Sequence, residues 1–164
     1  MSQLLTTLLL WPAAVGCGLM AGVYFAFSAF VMVALDRLGQ AQAIAVMNAI
    51  NIVIVKSPFM PVFLATTLAS AALAAIAMLR WNQPGSLLLL ASGVLYVLGM
   101  FMVTVACNVP LNDALAAVDP SAAAAAEVWA RYLKDWTFWN HVRTVASTAA
   151  CALSIAALVA IEAA

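Results

Sequence analysis

Residues 86–107 read SLLLLASGVLYVLGMFMVTVAC, a run with no charged side chain. Its length matches the about 20 apolar residues that carry a helix across a hydrocarbon core about 30 Å thick. A barrel strand alternates apolar and polar positions over about ten residues, so this unbroken run does not read as one. The stretch is a membrane-spanning helix, and the composition of the whole chain agrees. Of 164 residues, 68% are hydrophobic and only 7% charged, where a soluble domain carries roughly 25% charged residues. The net charge of zero leaves no basic footprint for nucleic acid and no acidic tail for a cationic partner.

Upstream, Asn82-Gln83-Pro84-Gly85 makes a short turn. It leads back to a second span over about 58–80, with Pro58 and Pro61 in its first turn and Arg80-Trp81 at its end. The first span covers about 4–35, is interrupted by Trp11-Pro12, is rich in glycine (Gly16, Gly18, Gly22) and stops at Asp36-Arg37. Downstream, a fourth covers about 139–161. The expected fold is all-α: a single integral membrane domain over 1–164, built as a four-helix bundle. The first apolar stretch has no Lys or Arg before it and is too long for a signal peptide, so it is expected to stay as an anchor; Ala14-Val15-Gly16-Cys17 is only a faint lipoprotein-type site. Cys17, Cys107 and Cys151 lie in apolar surroundings without metal-ligand spacing and read as small buried hydrophobes.

Two further segments are helical but too polar to span. Residues 40–55 place Asn48 and Asn51 three apart, on one face, and read as an interfacial helix. Asp119-Pro120 supplies a helix start, from which an Ala-rich extension runs without a breaker into the fourth span.

Basic residues set an orientation. The connections at the second-span start and before the fourth span hold Arg37, Lys56, Arg131 and Lys134, with Arg143 just inside the fourth, whereas the other side has only Arg80. The positive-inside rule puts both longer connections in the cytoplasm and both termini outside, in an inner or plasma membrane.

The unusual polar residues gather on that same cytoplasmic side: Asn48, Asn51 and Lys56, then Asn108 and Asn112, then Asn140, His141 and Arg143. Amide and ionisable groups at membrane depth are costly unless paired or wetted, which points to a shared polar cavity rather than a mere headgroup zone. Trp129, Tyr132, Trp136, Trp139 or Asn140, and Arg143 recur at three- and four-residue steps and form one stripe. An interfacial aromatic belt would not require an Asn and an Arg on that stripe, although Arg143 could equally reach back to lipid phosphate. His141, the only histidine, lies about 100° from Asn140 around the helix and faces beside the stripe. As a lone ligand it makes an incomplete metal or haem site, so a general base or a hydrogen-bonding role is expected, with haem disfavoured. Each polar residue also has a plain structural reading: Asn108 and Asn112 around Pro110 as a helix cap and turn, Asn140 as interhelical glue, Gly18 and Gly22 as a packing or dimerisation pair.

Asn108-Val109-Pro110-Leu111-Asn112 followed by Ala114-Leu115, then Trp129, Trp136 and Trp139-Asn140-His141-Val142-Arg143-Thr144, resemble the signature of the small four-span membrane family that includes the fungal anthrone oxygenases. Met47-Asn48-Ala49-Ile50-Asn51 and the Gly/Phe-rich first span are similar to that family's upstream pattern. The resemblance implies oxidation of an anthrone-type polyketide to an anthraquinone by O2 with no dedicated cofactor. It casts His141 as base; Arg143, Asn140 and Asn112 as donors to an oxyanion; Trp136 and Trp139 as stacking platforms; and Asn51, Asn108 and Asn48 as the remaining polar wall. Two function classes fit: a membrane oxygenase acting on a flat lipophilic aromatic, or a non-catalytic bundle that binds a lipid or quinone or assists a membrane complex. In either class the partners are a lipophilic aromatic molecule and membrane lipid, with a homo-oligomer left open.

Overall fold

The structure is a computed structural model that describes residues 3–163. Among the described residues the protein is all-helical, and four of its helices are long and apolar enough to cross a bilayer, which makes it a membrane protein. Helix α1 runs Gln3–Ala26, continues through a π-helical segment Phe27–Val31, and ends as Met32–Asp36. Helix α2 is Gln40–Ile54 and α3 is Phe59–Leu79. Helix α4 begins as Ser86–Val94, passes through π-helical Leu95–Met102 and Thr104–Asn108, and finishes as Val109–Ala116. The last helix, α5, is Ala125–Glu162.

Three boundaries differ from the sequence reading. Pro12 sits inside α1 without interrupting it; a single missing amide donor is tolerated in an apolar helix whose neighbours hold it in place. Helix α4 does not end near Cys107 but runs to Ala116, so Asn108 and Asn112 stand on a helix and not in a turn. Pro110 follows directly on a π-helical turn, and such local adjustments re-satisfy the backbone around a membrane proline. Finally, Asp119-Pro120 does not open α5. The Asp119 Oδ1 accepts hydrogen bonds from the Ser121 backbone N–H at 2.9 Å and the Ser121 hydroxyl at 2.7 Å, closing a local turn and holding its carboxyl below the ordinary range. Helical structure then starts at Ala125.

The spans form a closed ring in which α1 packs on α3, α3 on α4, α4 on α5, and α5 back on α1. Neighbours are antiparallel, as the pairings of Leu10 with Leu73 and Leu158 at one end and of Tyr24 with Phe63 and Met100 at the other require. Lipid provides no hydrophobic drive between spanning helices, so close contact must come from small residues and interhelical hydrogen bonds. A Cβ at Gly16 would collide with the Thr66 hydroxyl, one at Gly93 would lie 2.5 Å from the Ser70 carbonyl oxygen, and one at Gly99 would lie 2.7 Å from Ala146 Cβ. Three of the four seams, α1–α3, α3–α4 and α4–α5, thus each have their own glycine. Between α4 and α5 the Ser92 hydroxyl meets the Ala150 carbonyl and Ser154 Oγ, both at 2.8 Å. Of the glycine pair singled out in the sequence, Gly18 packs internally against Cys151, whereas Gly22 has open space around it. Replacing Gly93 by Val should therefore force α3 and α4 apart and cost about 1–3 kcal/mol, seen as a lower melting temperature in detergent. Gly22→Ala should leave the melt unchanged.

Helix α5, at 38 residues, is about 57 Å long at about 1.5 Å per residue and exceeds any hydrocarbon core. Its N-terminal overhang is covered by α2 and the end of α4. Ala43, Ile44 and Met47 of α2 join Met32, Leu35, Leu115, Trp129, Tyr132 and Trp136 in one core at this end of the bundle. Sequence patterning identifies α2 as an element lying across the helix ends, and its position makes it the floor of the site.

Candidate functional site

The stripe on α5 faces inward as a unit. Trp129 and Tyr132 stack at 5.8 Å and 12°, and Tyr132 and Trp136 at 5.7 Å and 20°. All three rings are buried, which rules out an interfacial belt. One turn further along α5, Asn140 is 0% exposed and Arg143 is 5% exposed. Across from them on α4, Asn108 is 1% exposed. These polar groups are therefore gathered inside the protein rather than splayed toward headgroups.

Arg143 is the centre of the arrangement. Its Nη2 donates to Asn140 Oδ1 at 2.7 Å and its Nη1 to Thr104 Oγ1 at 3.3 Å. The guanidinium carbon lies 4.4 Å from the Tyr24 ring centre and 5.1 Å from that of Trp136, an aromatic clamp that offsets part of the desolvation of a buried cation. Among the described residues no carboxylate forms an ion pair with it; the one ion pair, between Arg131 and Asp135 at 3.4 Å, lies on the α5 surface. Its Nε has no hydrogen-bond partner. A cation at membrane depth with no counter-charge is expensive and is retained where function needs it.

Beside Arg143 lies a cavity of about 330 Å³, within the range of about 300–1,000 Å³ typical of small-molecule sites. Apolar walls come from Phe27, Phe59, Met60, Phe63 and Phe101; the polar positions are Asn51, Thr104, Asn112, Trp136, Tyr24 and Arg143. Asn112 Oδ1 accepts the Tyr132 hydroxyl proton at 2.8 Å, which leaves its amide donors for a ligand. Asn51 Nδ2 and Trp136 Nε1, like Arg143 Nε, have no protein acceptor. The wall is thus rich in donors and short of acceptors, and among the described residues lining it there is no carboxylate or imidazole. Leu64, Val105, Val109 and Val55 line the cavity and are also exposed on the bundle surface, so its rim is continuous with the lipid-facing side of α3 and α4.

Of the residues named from sequence, Arg143, Asn112, Asn51 and Trp136 meet at the cavity. Asn140 stands behind Arg143, and Asn108 behind Trp136, whose backbone carbonyl accepts from Asn108 Nδ2 at 3.1 Å. Asn48 is further out, tying α2 to α4 through the Leu115 carbonyl at 3.5 Å. Trp139 and His141 lie away from it. Trp139 packs edge-on against Phe138 at 5.1 Å and does not line the cavity. His141 does not reach the cavity either, because the rotation that separates it from Asn140 puts its ring on the exposed face of α5, where Nδ1 lies 2.8 Å from Ser28 Oγ.

Sequence reading missed Tyr24, Ser28 and Thr104. All sit in apolar runs where hydroxyls are readily tolerated, and the last two lie in the π-helical segments of α1 and α4, which ordinary helical periodicity does not anticipate. Such segments occur frequently at functional sites.

These observations define a polytopic helical membrane protein with an aromatic cavity, open at its rim, that presents a buried, uncompensated guanidinium. The chain belongs to the anthrone oxygenase family, whose family model matches residues 50–153. That match takes in Asn51, Asn112, Trp136, Asn140 and Arg143, while Tyr24 and Ser28 of α1 lie outside it. No curated protein and no solved structure matches the chain.

Proposed function

We propose that the protein is a membrane oxygenase that takes a flat, lipophilic phenolic substrate of the anthrone type from the bilayer and oxidises it with O2. The observation that carries this reading is Arg143: a buried cation without a carboxylate partner, on the wall of an otherwise apolar and aromatic cavity. Such a site favours a ligand that brings the missing negative charge on a hydrophobic body.

An anthrone fits that description. Loss of one methylene proton gives a carbanion whose charge is delocalised onto the ring carbonyl oxygen. The guanidinium, aided by the Asn112 amide, would hold that oxygen as an anion, and Trp136 and Phe63 would bound the ring plane. The anion passes one electron to O2, and the resulting radical and superoxide combine through a new C–O bond to give a peroxide. Loss of the second proton from the same carbon breaks the O–O bond, forms the ketone and expels hydroxide. The sum is anthrone plus O2 giving anthraquinone plus water, with all four electrons supplied by the substrate and no cofactor required. In this reading the protein stabilises charge and orients the ring. The rim of Leu64, Val105 and Val109 suits entry of a bilayer-dissolved substrate, and by the positive-inside rule the basic residues around α2 and the start of α5 favour a cytoplasmic position for this end.

The wall offers charge stabilisation without a strong base, so the substrate's proton leaves to water. The dependence of kcat/KM on pH should then follow the substrate's own ionisation. It should rise with pH through the substrate's pKa, and the midpoint should move when anthrones of different acidity are compared. A midpoint that stayed fixed across substrates would indicate a titrating protein base instead. The reading as a whole is tested by oxygen-electrode measurements on the purified protein in lipid nanodiscs with an anthrone. Uptake of one O2 per coloured quinone formed supports it, and quinone formation no faster than in empty nanodiscs would leave only a binding protein.

A further inference from the structure

We infer that His141 and Ser28 act together as positioning residues, setting the Arg143 guanidinium from the outer face of the bundle through Asn140. The inference rests on the proposed role of Arg143 as the anion-holding group. Its basis is a hydrogen-bond chain that links α1 to α5: Arg143 Nη2 to Asn140 Oδ1 at 2.7 Å, Asn140 Nδ2 to Ser28 Oγ at 2.8 Å, and Ser28 Oγ to His141 Nδ1 at 2.8 Å. Asn140 Nδ2 spends its other proton on the Tyr24 carbonyl at 2.7 Å. Both ends of this amide are therefore committed, and the amide cannot be turned over without breaking the Arg143 bond.

Counting protons along the chain leaves two arrangements for the imidazole. The Thr144 hydroxyl donates to the Asn140 carbonyl at 2.8 Å, so it has no proton left for Ser28, whose Oγ lies 3.2 Å away. Ser28, which accepts from Asn140, can then give its single proton to Thr144 while His141 donates to it through Nδ1–H, or give that proton to His141 Nδ1 while the ring proton sits on Nε2. The first arrangement is the one inferred, because it makes the Thr144 contact as well. With that bond made, Ser28, Thr144 and Asn140 are all satisfied, and Asn140 is held at the one orientation that presents Oδ1 to Arg143. Removing Ser28 leaves Asn140 Nδ2 with the Tyr24 carbonyl alone, and removing His141 leaves Ser28 without the donor that orients it, so in either variant Oδ1 is held less firmly against Arg143.

This separates His141 as a positioning residue from His141 as a base. In His141→Asn, a shorter side chain keeps a donor close to the place of Nδ1 but has no group able to take a proton. We expect His141→Ala and Ser28→Ala each to lower kcat roughly tenfold, about the worth of one hydrogen bond, with KM little changed. The double variant should be no worse than either single one, because both remove the same link. His141→Asn should recover most of the lost rate. Independently of turnover, the chain's single histidine gives one set of imidazole ¹⁵N signals in nanodiscs. These should report Nδ1–H with coupling to the Ser28 hydroxyl, whether or not the protein oxidises an anthrone. An Nε2–H tautomer, additive losses in the double variant, or a His141→Asn protein as slow as His141→Ala would each overturn the inference. If no substrate is turned over, the ¹⁵N result still decides it.

Discussion

Arg143→Met is expected to remove at least a hundredfold of kcat/KM, the effect of deleting a donor aimed at developing negative charge, while barely altering the melting temperature. The two halves of this expectation have different causes. For stability, the variant loses the Asn140 contact at 2.7 Å and the clamp between Tyr24 and Trp136, but it also removes a desolvated cation that no carboxylate repays. Replacing buried charge with an apolar side chain of similar volume is often neutral or stabilising. For function nothing compensates, because no other charged group lines the cavity. Arg143→Lys should fall between, since it keeps the charge but lacks the planar surface that stacks on Tyr24 and the second donor for Thr104. A variant that lost both activity and stability in proportion would show Arg143 to be a structural tie only. Steady-state kinetics in nanodiscs and thermal melts of the same preparations make the comparison.

Trp136→Ala should have the largest effect on stability, about 3–5 kcal/mol for truncating a buried tryptophan. The ring meets Phe27 at 5.6 Å, Tyr132 at 5.7 Å and the Arg143 guanidinium at 5.1 Å, so its removal opens the core shared by α1, α2 and α5 and merges it with the cavity. Trp136→Phe separates packing from chemistry. It preserves a ring for the stack but deletes the Nε1–H that has no protein acceptor. The Phe variant should melt close to the parent while losing several-fold in kcat/KM, the range expected for one donor to a charged ligand atom. Thermal melts paired with oxygen uptake check both.

What the sequence could and could not say follows from which forces act locally. The span count was legible because hydrocarbon thickness imposes a length on every apolar run, and 86–107 satisfies it without charge. The inward stripe on α5 was legible because Trp129, Tyr132, Trp136, Asn140 and Arg143 keep helical spacing within one rigid element. Both readings use only neighbours along the chain. The end of α4 was not legible, because whether Pro110 breaks or merely adjusts a helix depends on what surrounds it. His141 has the chemistry of a site residue, and its place about 100° round α5 from Asn140 is legible in the sequence, but its contact with Ser28 depends on how α5 packs against α1. Tyr24 and Thr104 carry no charge and little polarity, so their importance arises from lying against Arg143. In short segments of π-helix, side chains that a regular helix would turn aside are brought to the same wall.

The most direct test of the account is a structure of the protein in lipid with a hydroxyanthraquinone bound as its phenolate. The account predicts the ring system inside the cavity, against Trp136 and Phe63, with an ionised oxygen within about 3 Å of the Arg143 guanidinium. A ligand lodged elsewhere, with an acyl chain filling the cavity and Arg143 reaching out to a headgroup phosphate, would contradict it.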